Sequence, residues 1–151
     1  MTDLNIAPGG SATVHVLHEG YVGRDGDDER VAGTVTLIMD GDAVIVVDPG
    51  MVASREALLS ALAAHGPAAG DVTDVVFSHH HTAEDISTVV ATAGDLVVCT
   101  HAWWAAFGPP EDPLGADAGR LHASRAALLT FATLIVPGHG APFRPDQDTP
   151  R

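Results

Sequence analysis

The sequence predicts an α/β fold, and three consecutive segments carry that prediction. Ala43–Val47 is apolar throughout, residues 55–65 repeat leucine at helical spacing, and residues 72–77 form a second apolar run. A strand, a helix and a strand in succession make a βαβ unit, whose strands pair in parallel through a right-handed crossover. With 46% hydrophobic and 18% charged residues, the composition is globular, and the length of 151 residues suits a single domain over 1–151.

Local signals place the remaining elements. Ser54 can cap the helix and Gly66-Pro67 stops it, while Asp40-Gly41-Asp42 is typical of a tight turn. Further strands are predicted at residues 13–22, 31–39, 86–92, 95–99 and 134–136, and a second helix at residues 120–131. Residues 1–11 and 145–151 are expected to be loose ends, because they are polar or rich in proline.

The charge balance is strongly acidic and argues against some classes of partner. The formal net charge is -13, and lysine and arginine together number only 7. Because phosphate groups are bound by basic side chains, we expect a small-molecule substrate, and neither nucleic acid nor a membrane surface as partner. Cys99 is the only cysteine, so no intrachain disulfide forms, which suits a reducing compartment. No signal peptide and no apolar run of about 18 residues are visible, so the sequence predicts a cytoplasmic protein.

Histidines stand where three of the predicted strands end. They are the run His79-His80-His81, then His101, and then His139 between two glycines. Alternate side chains of an extended segment share a face, so His79 and His81 point the same way. Because strand ends of an α/β layer can lie along one edge, these two residues, His101 and His139 are candidate metal ligands. The alternative is a surface loop that is rich in histidine.

Four imidazoles are enough for zinc, which takes three or four nitrogen, oxygen or sulfur ligands. A histidine site with an open position is catalytic in type, because the metal lowers the pKa of bound water to about 7 and makes hydroxide available. Imidazole also suits iron and other transition metals, so iron is the alternative cofactor.

Other residues near these strand ends have supporting or structural interpretations. Asp48 ends a strand, where its carboxylate can accept hydrogen bonds from a loop or orient a ligand imidazole. Trp103-Trp104 can wall a substrate pocket or cover the sheet edge, and both interpretations stay open. Cys99 is assigned to the core. The remaining histidines are expected to be surface or packing residues: His15, His18, His65 and His122.

Four segments, taken together, resemble the metallo-β-lactamase fold superfamily. They are Val46-Val47-Asp48-Pro49-Gly50, Val76-Phe77-Ser78-His79-His80-His81, Val97-Val98-Cys99-Thr100-His101 and Ile135-Val136-Pro137-Gly138-His139-Gly140. The resemblance implies an αββα layered sandwich and a zinc-dependent hydrolase, in which hydroxide attacks an ester, thioester, lactone, amide or phosphodiester bond. It also implies that His79 and His139 are ligands of the first metal site and that His81 is a further ligand.

The sequence departs from the family pattern in its middle. After His81 the family carries an aspartate and a histidine, where this chain has Ala83 and Glu84, and the position of the family's bridging aspartate holds His101. The second and third family motifs are interpreted as fused, with the region between them deleted. The resemblance therefore implies a sandwich shortened in the middle and one metal ion rather than two. The alternative is that His101, Glu84 or Asp85 substitutes for the missing ligands of a second metal site.

Three hypotheses about function follow from this pattern. In the first, a zinc-dependent hydrolase uses His79, His81 and His139 as ligands, His101 as a ligand or proton shuttle, and Asp48 as support. The second is a truncated, non-catalytic metal-binding pseudo-enzyme or association module. The third, by family analogy alone, is an RNA-processing nuclease, which the acidic charge opposes. Loss of a helix from one face would expose apolar sheet surface, which favours a homodimer, a rearranged fold or poor stability.

Overall fold

The computed structural model describes residues 8–25, 28–50, 52–78, 87–113 and 117–151. Within these ranges the elements are β1 (Thr13–His18), β2 (Tyr21–Asp25), β3 (Asp28–Ala32), β4 (Val35–Asp40), β5 (Ala43–Val47), α1 (Arg55–Ala64), β6 (Asp74–Val76), β7 (Thr88–Ala91), β8 (Leu96–Cys99), α2 (Ala118–Leu128) and β9 (Leu134–Val136). A single 3₁₀ turn at Ala69–Asp71 precedes β6.

The first sheet contains the βαβ unit that the sequence predicts. Its strand order is β1-β4-β5-β6, and β5 pairs in parallel with β6, so that Val46 lies opposite Val75. Helix α1 connects these two strands, and the Ser54 hydroxyl accepts a hydrogen bond from the Ala57 amide at 3.1 Å, which caps its first turn. The helix ends at Ala64, and its C-cap residue His65 lies directly before the predicted stop at Gly66-Pro67.

The second sheet is smaller and lies in the C-terminal half. Its order is β7-β8-β9, with β7 antiparallel and β9 parallel to β8. Helix α2 connects β8 to β9. It begins two residues before the predicted start, because the Asp117 carboxylate accepts a hydrogen bond from the Arg120 amide at 2.9 Å and caps it there.

The two sheets pack face to face, and one helix covers each outer face. The central core joins residues of both sheets: Ala12, Ile38, Val47, Val90, Val97, Cys99 and Val136. Leu62 of α1 packs on the outer side of the first sheet, and Leu121 and Leu128 of α2 pack on the outer side of the second. The predicted αββα layered sandwich is therefore confirmed, with short strands in its second half.

Two long strands predicted by alternation are each interrupted. Residues 13–22 divide into β1 and β2 around Gly20, and residues 31–39 divide into β3 and β4 around Thr34. At the first break, the Gly20 amide donates a hydrogen bond to the Thr34 hydroxyl at 3.1 Å. A Cβ atom on Gly20 would lie 2.6 Å from the Ala32 carbonyl oxygen, so glycine permits this close crossing. The chain between the breaks forms a separate hairpin, β2-β3.

The C-terminal segment 145–151, which the sequence predicts as a loose end, contacts the second sheet layer. Thr149 is buried, and its amide donates a hydrogen bond to the Asp146 carbonyl at 3.3 Å. The Trp103 indole nitrogen donates to the Pro150 carbonyl at 2.8 Å. Because the indole N–H is buried with Trp103, the tail provides the acceptor that it needs.

Candidate metal centre

The ends of β8 and β9 bring His101 and His139 together. The two strands are parallel with Cys99 opposite Val136, so the segments that follow them leave the sheet at the same edge. The Nε2 atoms of the two imidazoles are 2.8 Å apart, and the rings are nearly perpendicular, at 86°. Both residues are at least nine-tenths buried. The prediction that these two strand ends meet is therefore confirmed by their geometry.

The hydrogen bonds of His139 define which of its nitrogens can bind a metal. Its Nδ1 atom lies 2.8 Å from the Ala32 carbonyl oxygen. A carbonyl can only accept, so Nδ1–H donates and the lone pair of a neutral ring is on Nε2. His101 then donates its Nε2–H to that lone pair. Metal-binding histidines are usually oriented in this way, with the second ring nitrogen bonded to a backbone carbonyl or carboxylate.

Backbone hydrogen bonds hold the loop that carries His139. The Gly138 amide donates to the Trp103 carbonyl at 2.9 Å, and the His139 amide donates to the Trp104 carbonyl at 2.8 Å. On the other side, the Thr34 amide donates to the Gly138 carbonyl at 2.7 Å. The histidine loop is thus bonded both to the segment after β8 and to the first sheet.

The absence of a side chain at position 138 makes room for His101. A Cβ atom on Gly138 would lie 2.3 Å from His101 Cδ2 and 2.8 Å from His101 Nε2. Carbon atoms in contact are about 3.5–4.0 Å apart, so this position must be glycine for the ring to lie where it does.

Asp48 connects the end of β5 to the end of β6. Its backbone is in the left-handed region, at φ 52, and its amide donates to the Val76 carbonyl at 2.8 Å. One carboxylate oxygen accepts from the Ser78 amide at 2.7 Å and the other from the Ser78 hydroxyl at 2.5 Å. Asp48 therefore holds the chain at Ser78, the residue before the histidine run, and its role in a metal site stays a prediction.

His79 and His81 lie outside the described residues, as do Ala83 and Glu84. Within the ranges that the structure describes, no group of three histidine, cysteine, aspartate or glutamate side chains could hold a metal ion. Two nitrogens that bind one tetrahedral zinc ion at about 2.0–2.1 Å are about 3.3 Å apart. The Nε2 atoms of His101 and His139 are only about half an ångström closer, so the pair fits two positions of such a site. The other ligands stay a prediction.

An open cavity of about 130 Å³ adjoins His101. Its described lining consists of Gly33, Asp48, Gly50, Phe77 and His101. The Phe77 side chain is 53% exposed, which is high for a large apolar residue. No lysine or arginine occurs among the described lining residues, so the aromatic ring and two glycines give the cavity an apolar wall.

The predicted core and packing residues lie away from the pair. Cys99 is buried, and burial, together with the charge of Asp48, raises the pKa of its thiol to about 12, against a hydrogen bond from Thr36. His15 stacks on His65 with ring centroids 4.3 Å apart. Burial and the nearby His65 lower the pKa of His15.

Each of the two tryptophans fits one of the two predicted roles, core packing or lining a site. Trp103 is fully buried beneath the second sheet layer. Trp104 is only partly buried, and its ring meets His139 edge to face at 5.7 Å. Trp103 therefore belongs to the core, and Trp104 is a wall of the histidine site.

Sequence reasoning missed Arg125, which is the largest buried polar side chain beside this site. Its side chain is 0% exposed, and its guanidinium donates to the Ala102 carbonyl, one residue after His101. A signal was present: Arg125 lies four residues after Leu121 and three before Leu128, on the apolar stripe of α2.

Comparison with known proteins shows the family to which this chain belongs. The family model described as the metallo-beta-lactamase superfamily matches residues 28–82. The metallo-beta-lactamase domain-containing protein 1 of Xenopus laevis is 31% identical, over 91% of this chain and 83% of that protein. This chain belongs to the metallo-beta-lactamase superfamily. The resemblance of its four sequence segments is thereby confirmed.

Two further matches describe how this superfamily member relates to others. The human protein of the same name is 28% identical, over 92% of this chain and 84% of that protein. A crystal structure from Thermotoga maritima, assigned as a metallo-beta-lactamase, shares the fold with a TM-score of 0.66 and 16% identity, over 89% of this chain and 100% of that one.

The alignment with the Xenopus protein also bears on chain length. It extends over 197 positions, whereas this chain has 151 residues. The relative therefore has residues inside the aligned region for which this chain has no counterpart, in agreement with a shortened middle.

No helix among the described residues is long and apolar enough to cross a membrane.

Proposed function

We propose that this protein is a metal-dependent hydrolase with a site for one zinc-type ion. The observation that carries the proposal is the convergence of two buried imidazoles, His101 and His139, at 2.8 Å between their Nε2 atoms. In this proposal His139 and His101 are two ligands, and His79 and His81 supply the others. A divalent ion held by these residues would supply Lewis acidity for activating water as a nucleophile and polarising the scissile group.

The residues of the chain have distinct roles in this proposal. His139 keeps its proton on Nδ1, bonded to the Ala32 carbonyl, so that its Nε2 lone pair stays directed at the site. For both rings to bind one ion through Nε2, the His101 proton would move to Nδ1 of the same ring, and protonation of either imidazole at low pH would compete with metal binding. Asp48, with both oxygens bonded to Ser78, positions the start of the histidine run rather than acting as a free base.

The described lining of the cavity supports an uncharged substrate. Phe77, Gly33 and Gly50 present apolar or backbone surface, and Asp48 is the only charged side chain among the described lining residues. Apart from the proposed metal ion, the described lining offers a phosphodiester no cationic partner, whereas the carbonyl group of an ester, thioester, lactone or amide needs none. We therefore propose a carboxylic acid derivative with a small apolar group as the substrate class.

The test combines metal content with turnover. After dialysis, elemental mass spectrometry of the wild type should give about one zinc or iron ion per chain. His139→Ala should lose it, whereas His122→Ala, on the exposed face of α2, should not. The metal-loaded wild type should hydrolyse p-nitrophenyl acetate or a simple lactone faster than bis(p-nitrophenyl) phosphate, and His139→Ala should lose that activity. A wild type without retained metal would refute the proposal.

A second candidate is a metal-binding protein without turnover. The observation in its favour is the sequence departure after His81, where Ala83 and Glu84 stand in place of the family's aspartate and histidine. Retained metal with no hydrolysis of any ester, lactone or amide would select this candidate.

The cytoplasmic location, the single domain and the homodimer stay predictions. For the homodimer, the relevant surface is the edge strand β6, where Val75 is 51% exposed, and the adjoining Phe77. Sedimentation analysis of the purified protein would measure the association directly.

A further inference from the structure

Arg125 is a fully buried cation whose hydrogen bonds go to backbone carbonyls. Its Nε donates to Ala102 at 2.7 Å, one terminal nitrogen to Pro110 at 2.5 Å, and the other to Pro109 at 2.9 Å. The guanidinium carbon also lies 5.6 Å from the centre of the Trp103 ring. The planar fork of arginine can make this set of three bonds from one side chain, which a lysine ammonium cannot match.

Such a residue is costly at this position. Taking a charged group out of water costs several kcal/mol unless its bonds are well satisfied. The neighbours of Arg125 on the inner face of α2 are Leu121 and Leu128, so a leucine there would pack with less penalty. Unlike a leucine, Arg125 connects the two ends of loop 102–110 through its hydrogen bonds to their carbonyl groups.

That loop carries the hydrogen-bonding partners of the histidine site. Ala102 directly follows His101, so the bond from Arg125 fixes the backbone next to the first imidazole. The next two carbonyls, of Trp103 and Trp104, accept the amides of Gly138 and His139. The segment that contains His101 is thus hydrogen-bonded to the segment that contains His139, and Arg125 bonds to the first of these segments.

We propose that Arg125 is a positioning residue for the histidine pair: by fixing loop 102–110 it sets the separation of the His101 and His139 imidazoles. The value of that separation for metal binding rests on the proposed function, but the positioning itself can be measured without metal. It acts through the two amides, Gly138 N–H and His139 N–H, that bond to the loop.

The experiment measures amide hydrogen exchange by NMR in metal-free protein. Arg125→Met, which keeps an unbranched apolar side chain but has no donors, should speed the exchange of the Gly138 and His139 amides at least tenfold. Amides of the β4–β5 ladder should change much less. The matched control is Arg120→Met, the same substitution at an exposed position of α2, which should leave all of these amides at wild-type rates.

Two further readouts separate positioning from general destabilisation. The ¹⁵N shifts of the His139 ring should report loss of the single tautomer in Arg125→Met, and the zinc dissociation constant should rise by about 10- to 100-fold, the usual effect of removing a residue that orients a ligand. If Arg125→Met does not fold, Arg125→Lys provides the test, because it keeps the charge and fewer bonds, and the same two amides should exchange faster.

Unchanged exchange of the Gly138 and His139 amides in a folded Arg125 variant would overturn the inference. So would an equal acceleration across both sheets, since this would mean that Arg125 only stabilises the fold. A wild type that binds no zinc would refute the proposed function but leave the exchange result standing, so the two failures are distinguishable.

Discussion

Gly138→Ala is the most direct perturbation of the candidate site, because it adds one methyl group against one ring. The added Cβ would lie 2.3 Å from His101 Cδ2 and 3.0 Å from His101 Cγ. Carbon–carbon contacts of about 3.5–4.0 Å are restored only if the ring moves by about 1.2 Å or more. A shift of that size takes the Nε2 atom beyond the 2.8 Å contact with His139 and out of hydrogen-bonding range.

The expected magnitudes follow from this displacement. Inserting a methyl group into a packed site costs about 1–3 kcal/mol. At about 2–4 °C per kcal/mol for a chain of this size, the Tm should fall by about 2–12 °C. Moving one imidazole away from the other should weaken zinc binding by at least the 10- to 100-fold seen when an orienting residue is lost.

The assay is zinc titration against a chromophoric chelator, with thermal unfolding of the same samples. Gly140→Ala is the matched control, since a Cβ atom there would meet Ala105 Cβ at 3.4 Å, near ordinary contact. It should bind zinc as the wild type does. The reasoning is refuted if Gly138→Ala binds zinc with wild-type affinity, or if Gly140→Ala is impaired to the same degree.

Three further predictions concern residues around the site. Asp48→Ala removes both acceptors of Ser78 and should lower the free energy of unfolding by about 2–4 kcal/mol in urea, whereas Asp48→Asn should lose less. Because the pKa of His15 is lowered in the folded state, its stabilising effect is present above about pH 6.5 and is lost below it; His15→Gln should therefore flatten the fall of Tm between about pH 7.5 and pH 5. With the pKa of its thiol raised to about 12, Cys99 should react with a thiol reagent only as fast as the protein unfolds, and rapid labelling of native protein would contradict its burial.

The βαβ unit could be predicted because its signals are local. A continuous apolar run predicts β5. Ser54 and Gly66-Pro67 mark the start and the end of α1, and the leucines between them identify the face of the helix that packs on the sheet. The same reasoning gives β7 and β8 across a two-residue turn. Where neighbouring residues decide the structure, a single sequence is informative.

The strand breaks could not be predicted, because distant residues cause them. Residues 31–39 are predicted as one strand, but the chain leaves the ladder where the Thr34 amide donates to the Gly138 carbonyl, more than 100 positions away. Arg125 is a similar case. Its position on an apolar stripe marks it as unusual, but its acceptors are carbonyls of an irregular loop, which have no signature in the sequence.

Our proposal of one metal ion rather than two rests on the charges of the described residues around the histidine pair. Two divalent ions in a shared site lie about 3.5–4 Å apart and repel each other strongly unless anionic ligands lie between them. At the position where the family resemblance implies a bridging aspartate, this chain has His101, whose neutral imidazole meets His139. Asp48 is the only carboxylate in the described cavity lining, and Ser78 occupies both of its oxygens. A pair of neutral imidazoles can balance the solvation loss of one cation, but it brings no negative charge with which to hold a second.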